Sequence, residues 1–170
     1  MADFIGKSFI ATLLCASEKQ TAPVDFLRGA GIAGSGWLVQ GDQSGLPLPL
    51  RFDYIRHTDD RFHYHISAAA GADHYAGARL GVSVGGYLGL YQVAKVSDDW
   101  KLELEDDNLD PDHIVFTLRD HRGHRVGVTT EVTGDFWTGF RPKPLVDVEF
   151  LNVDKGREVF FQATIVTFLE

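Results

Sequence analysis

Four groups of residues in this chain have the types and spacing for chemistry. His63 and His65 stand at alternate positions of the run Phe62-His63-Tyr64-His65-Ile66-Ser67. Alternate residues of a strand point to one face, so the two imidazoles can meet a metal ion, with His74 as a third ligand from the next loop. The competing reading, half-exposed strand histidines with no metal, is the one adopted. Asp120-His121-Arg122-Gly123-His124 sets a carboxylate beside imidazole, the pair that orients a general base. The same residues read as a tight, solvated hairpin turn, and no catalytic residue is assigned to them. The acid pairs Asp59-Asp60, Asp98-Asp99 and Asp106-Asp107 are the usual formers of turns. The oxygens of 106–112 suit a hard cation but lack the EF-hand pattern. No Gly-any-Ser-any-Gly elbow is present, and a serine hydrolase is unsupported. No cofactor is implied.

The fourth group is Gly134-Asp135-Phe136-Trp137-Thr138-Gly139-Phe140-Arg141-Pro142-Lys143-Pro144. Flat aromatic faces stack on sugar rings, and an adjacent carboxylate accepts hydrogen bonds from hydroxyls. The expected ligand-binding residues are therefore Asp135, Phe136, Trp137, Phe140 and Arg141, with Asp73, His74 and Tyr75 as a second set. Burial of Phe136, Trp137 and Phe140 in the core is the bland alternative. The four glycines of 29–36 precede a strand rather than a helix, so they read as a flexible loop and not as a phosphate cradle.

The bounds on these groups are firm. At 170 residues the chain is long enough for one domain with its own core. It carries 24 acids against 16 bases, a net charge of −8, which repels phosphate backbones and argues against a nucleic-acid partner. The single Cys15 cannot form an intramolecular disulfide, and its apolar flank marks a small core residue. No run is long enough to span a bilayer. Lys7 before an apolar stretch invites comparison with a signal peptide, but Asp3 and the short run read as a mature strand. A cytoplasmic protein, or one secreted without a signal peptide, is expected. Oligomeric state is left open.

The elements that must position these residues are strands. Apolar and β-branched residues over 8–14, 37–40, 51–57, 62–67, 100–105, 114–119, 146–151 and 159–169 alternate or cluster, with turn residues between them. Thr58-Asp59-Asp60-Arg61 joins the clearest hairpin. Helical periodicity is nearly absent, and the class is all-β with about twelve short strands and little helix.

One pattern recurs: Gly77-Ala78-Arg79-Leu80-Gly81-Val82-Ser83 returns as Gly123-His124-Arg125-Val126-Gly127-Val128-Thr129. Units of four strands spaced this way fit a three-fold closed barrel, the β-trefoil. The second unit would be 62–67, 78–83, 86–93 and 100–105, and the third 113–119, 124–129, 135–140 and 146–151. A cryptic first copy covers about 8–57, the repeats lie at about 62–106 and 113–153, and 159–169 is left over or must pair with the first strand to close the fold. A two-sheet β-sandwich or another closed β-barrel is the alternative.

Arg79-Leu80-Gly81-Val82 followed by Gly86-Tyr87-Leu88-Gly89-Leu90 resembles the apolar-glycine strand pairs of fascin-like β-trefoil proteins. The resemblance implies a recognition module that binds sugars or proteins through loops. The Gln-any-Trp motif of ricin-type lectin repeats is missing, and Asp98-Asp99 precede Trp100 instead. Gly34-Ser35-Gly36-Trp37 is similar to the Gly-any-Trp start of lipocalin-like barrels, one residue longer. His63-Tyr64-His65 is similar to the His-any-His of cupins, although Ala69 and Ala70 stand where that pattern wants glutamate. The favoured function is a non-enzymatic, lectin-like carbohydrate-binding module. The alternatives are a barrel holding a small apolar ligand, as carrier or cyclase, in a cavity lined by Trp37, Tyr54, Tyr64 and Phe116, and a membrane-active or insecticidal toxin using 134–144 at a membrane surface.

Overall fold

The structure, a computed structural model, describes residues 4, 6–26, 36–41, 47–70, 76–91, 98–105, 113–133 and 146–170. These form thirteen strands and no helix. In order they are β1 (Ser8–Ala16), β2 (Thr21–Phe26), β3 (Leu38–Gln40), β4 (Leu50–His57), β5 (Arg61–Ala68), β6 (Arg79–Val82), β7 (Leu88–Tyr91), β8 (Trp100–Leu104), β9 (His113–Arg119), β10 (Gly127–Thr133), β11 (Val146–Asn152), β12 (Arg157–Glu158) and β13 (Phe160–Leu169). Among the described residues no helix is long and apolar enough to cross a membrane.

Six strands close a barrel. β1 pairs with β13, β13 with β9, β9 with β8, β8 with β5, β5 with β4, and β4 returns to β1, all antiparallel. Closure leaves this ring without an open edge. The sequence explains which side of each strand faces in. In β1, Phe9, Ala11, Leu13 and Cys15 are buried while the residues between them are not. In β8, Trp100 and Leu102 point inward and Lys101 and Glu103 outward, as its alternation of apolar and charged residues requires. The interior is packed with rings. Phe9 stacks on Phe52 at 4.8 Å, Tyr64 meets Phe9 edge to face at 5.5 Å, and Phe116 stacks on Phe161 at 5.9 Å.

The remaining long strands form three hairpins, β2–β3, β6–β7 and β10–β11. Each hairpin is tied in the same way to the barrel strand that precedes it: Ala16 faces Thr21, Ser67 faces Arg79, and Arg119 bridges Arg125. The chain thus runs three times through a barrel strand, a hairpin and a second barrel strand. The recurring heptapeptide falls at the same place in two of these passes, the entry to β6 and to β10. Gly77 and Gly123 both have positive φ, 85° and 88°, a turn that residues with side chains rarely adopt.

The third pass differs from the expected assignment. The ladder from Gly127↔Asn152 to Thr133↔Val146 makes 146–152 the second strand of the hairpin, not a barrel strand. The strand at 159–169, which the sequence scheme either left over or paired with the first strand, is β13; it pairs with β1 and closes the barrel between β9 and β1. The 135–140 run, read as a strand, lies outside the described residues.

The hairpins meet one another as a cap. Each seam is one bridged pair among the described residues: Trp37 with Gly89, Val39 with Phe150, and Tyr87 with Asn152.

Candidate functional site

Three aromatic residues that are not fully buried, Trp37, Tyr87 and Tyr91, gather on this cap, while Tyr54, Phe62, Phe160 and Phe168 keep some exposure on the barrel strands. Residues 87, 89 and 91 share a face of β7, and at the middle position there is no side chain. The ring of Trp37 fills that place, its carbons 3.1 Å from where a Gly89 Cβ would sit, with Tyr91 3.6 Å from the same point. Any larger residue at 89 would push the indole away. Trp37 lies edge to face with Tyr87 at 6.0 Å, and Tyr87 with Phe150 at 5.7 Å. Trp37, Tyr87 and Tyr91 are half-buried, and Phe150 is buried.

Polar groups border this face. The Tyr87 hydroxyl donates to Glu131, which β10 presents opposite Val148. Lys155 donates to the same Glu131 oxygen at 3.2 Å, and its ammonium lies 5.3 Å from the Tyr87 ring centroid. The Tyr87 hydrogen bond holds the Glu131 carboxyl below its ordinary value of 4.5, so it is ionised near neutrality. The same surroundings, the Tyr87 hydroxyl first and Glu131 after it, raise Lys155.

Asn152 sets the position of Lys155. Fully buried, it accepts from the N–H groups of Asp154 at 2.7 Å and Lys155 at 3.1 Å, and it donates to the Gly85 carbonyl at 3.1 Å. One amide therefore shapes the turn carrying Lys155 and fastens it to the β6–β7 turn.

A second cluster lies on the barrel wall. His63 Nδ1 is 2.7 Å from Asp99, with the imidazole buried and the carboxylate partly exposed. His65 Nδ1 is 3.3 Å from the Asp98 carbonyl oxygen, and His121 Nδ1 is 3.7 Å from the Asp98 carboxylate. Burial pushes Asp99 up, but the His63 hydrogen bond, its own backbone N–H and the charges of His63 and Lys101 together bring it below 3.8. The alternate histidines thus engage the acid pair preceding β8, which the sequence reading took for turn formers only. His74 lies outside the described residues, and among those described no three His, Cys, Asp or Glu are placed to hold a metal ion.

The other groups serve the fold. Asp120, fully buried, accepts from the N–H groups of Arg122 and His124 at 3.0 and 2.8 Å and pairs with the Arg122 guanidinium. It builds the turn and makes no bond to imidazole in this arrangement. Cys15 is buried against Gln40, and burial pushes its thiol up to about 12, which leaves no thiolate for attack near neutrality. Of the residues suited to an apolar cavity, Tyr64 and Phe116 are fully buried among other rings, Tyr54 packs edge to face on Tyr64, and Trp37 belongs to the cap.

Both binding sets expected from sequence, Asp135, Phe136, Trp137, Phe140 and Arg141, and Asp73, His74 and Tyr75, lie outside the described residues. Sequence reasoning did not single out Glu131, Asn152 or Lys155. One signal for the aromatic face was present: Tyr87, Gly89 and Tyr91 alternate in the run Tyr87-Leu88-Gly89-Leu90-Tyr91, which puts two rings and a gap on one side of a strand.

No protein family, no curated protein and no solved structure matches the chain significantly.

Proposed function

We propose that this chain is a β-trefoil recognition module that binds carbohydrate on the aromatic face of its hairpin cap. Three passes, each giving two strands to a six-stranded barrel and one hairpin to a cap, support the trefoil assignment. The observation that carries the binding reading is the half-exposed pair Trp37 and Tyr87, edge to face at 6.0 Å, with an ionised carboxylate on the Tyr87 hydroxyl. Sugar rings stack their C–H faces on such surfaces, and their hydroxyls donate to such a carboxylate. The module acts by binding alone. Ring packing of Tyr64 and Phe116 in the barrel speaks for this reading over an apolar-ligand carrier.

A membrane-surface reading has one observation in its favour. Val84, in the β6–β7 turn, is fully exposed, and Val132, near the end of β10, is 63% exposed. In sequence Val84 lies three residues before Tyr87, and Val132 lies next to Glu131.

Tryptophan fluorescence tests the proposal. The chain has three tryptophans, and Trp100 is buried, so Trp37→Phe and Trp137→Phe separate the cap from the 134–144 segment. Oligosaccharides should quench or shift the wild-type emission saturably, and Trp37→Phe should abolish that response. Loss in Trp137→Phe alone would move the site to the 134–144 segment. A response to liposomes and to no sugar would replace the carbohydrate reading with the membrane one.

A further inference from the structure

Lys155 occupies an instructive place. Its ammonium sits 5.3 Å from the Tyr87 ring centroid and 3.2 Å from a Glu131 oxygen. An aromatic ring and a carboxylate on one cation are the two contacts from which proteins build ammonium sites. The cation here belongs to the chain itself, on a side chain that is 52% exposed. A pair this wet holds its partner weakly, and the lysine can swing into water while Glu131 keeps the Tyr87 hydroxyl.

We propose that the Tyr87–Glu131 edge is an ammonium subsite, that Lys155 is its internal occupant, and that the sugars selected by the cap carry free amines, as glucosamine oligomers do. The inference rests on the carbohydrate reading above and narrows it. The hydroxyl-linked carboxylate is pre-set, since Tyr87 fixes it whether or not a cation is bound. Trp37, 6.0 Å from Tyr87, supplies an apolar surface for the pyranose whose amine enters the subsite. The lysine returns when ligand leaves, because Asn152 fixes its backbone beside the ring. A tethered competitor of this kind lowers affinity for weak cations and leaves the multivalent oligomer, which also stacks on Trp37, able to displace it. The net charge of −8 draws polycationic oligomers toward the surface and makes that attraction salt-dependent.

The test is calorimetric titration of the intact chain with a glucosamine tetramer and with its N-acetylated counterpart, at about pH 6, where an amine of the α-amino type is charged. The wild type should prefer the free-amine tetramer. Lys155→Met should raise affinity for that tetramer by about two- to fivefold, the size of one exposed ion pair. Glu131→Gln should reduce the preference for amine over N-acetyl by about two- to fivefold, the size of the same exposed contact. Thermal midpoints of both variants establish that they fold, and Lys155→Gln serves as a second replacement if the methionine variant does not. Equal binding of the two tetramers, or no gain on removing Lys155, overturns the ammonium subsite and leaves the carbohydrate reading standing. No binding of either tetramer in any variant overturns the ammonium subsite, and the tryptophan titration with other oligosaccharides then decides the carbohydrate reading.

Discussion

The barrel and the cap are built from the same kind of strand, yet they are held together differently. In the barrel, antiparallel ladders, bulged between Ile10 and Ala11 and between Tyr54 and Arg56, run between all six strands, and most side chains on the inner face pack against one another. In the cap, the hairpins touch through single bridged pairs, and side chains complete the seams: Trp37 over Gly89, and Asn152 between the Gly85 carbonyl and the 154–155 turn. Where the backbone stops specifying contact, large aromatic and polar side chains take over, and some of their surface stays in water. The barrel is therefore the part that stability reports on, and the cap the part available for a ligand.

Substitutions in the two regions should separate these roles. The largest effect belongs to the barrel. Phe52→Ala removes a ring stacked 4.8 Å from Phe9 and 5.9 Å from Tyr64, and should cost about 3–5 kcal/mol in a denaturant titration while leaving the saccharide affinity of the folded fraction unchanged. An equal fall in affinity would mean that the two regions are not separable.

Trp100→Phe probes the junction. The indole N–H donates to the Leu80 carbonyl at 3.0 Å, deep in the core, and ties barrel strand β8 to hairpin strand β6. Losing it leaves that carbonyl unpaired, at about 1–3 kcal/mol in the same titration. A neutral result would show that another donor replaces the indole.

Gly89→Ala acts inside the cap. Its methyl would stand 3.1 Å from the Trp37 ring, so the indole must shift by a few tenths of an ångström. The cost should fall near the low end of about 1–3 kcal/mol, whereas Trp37 emission and saccharide affinity should both change clearly. Unchanged emission would show that Trp37 does not rest on this glycine.

The smallest effect is acid sensitivity. Glu131, held low by Tyr87, and Asp99, held low on balance by His63, its own backbone N–H and nearby positive charge, have folded-state values below their ordinary 4.5 and 3.8. Their contributions are full above those ordinary values and are lost as pH falls through the lowered ones. Thermal midpoints below about pH 4.5 should therefore fall less steeply in the double variant Glu131→Gln, Asp99→Asn than in the wild type. Parallel curves would remove both groups from the acid response.

Much of the barrel was legible because its signal is local. The alternation of Phe9, Ala11, Leu13 and Cys15, the strict apolar–charged pattern of β8, and the Thr58-Asp59-Asp60 turn between β4 and β5 each reveal a strand or hairpin from a few neighbouring residues. The closing strand was legible only as one of two options for 159–169, the one that pairs it with the first strand. Counting 135–140 as a strand moved 146–151 into a barrel position, and only long-range pairing, Thr133 with Val146 and Phe161 with Phe116, shows which strand belongs where. The cap was least legible for the same reason. Asn152 reads as an ordinary turn asparagine, and Glu131 and Lys155 as solvated charges, until two hairpins distant in sequence, β6–β7 and β10–β11, bring them to Tyr87. His63 likewise found its partner, Asp99, through the register that sets β5 against β8.

The most direct test of the account is amide chemical-shift mapping of the labelled chain with increasing glucosamine tetramer. The account predicts saturable shifts at Trp37, Tyr87, Gly89, Glu131 and Lys155, with the barrel amides around Phe52 and Phe116 and those flanking the His63–Asp99 pair unmoved. Shifts centred on His63 and Asp99, with the cap silent, would contradict it.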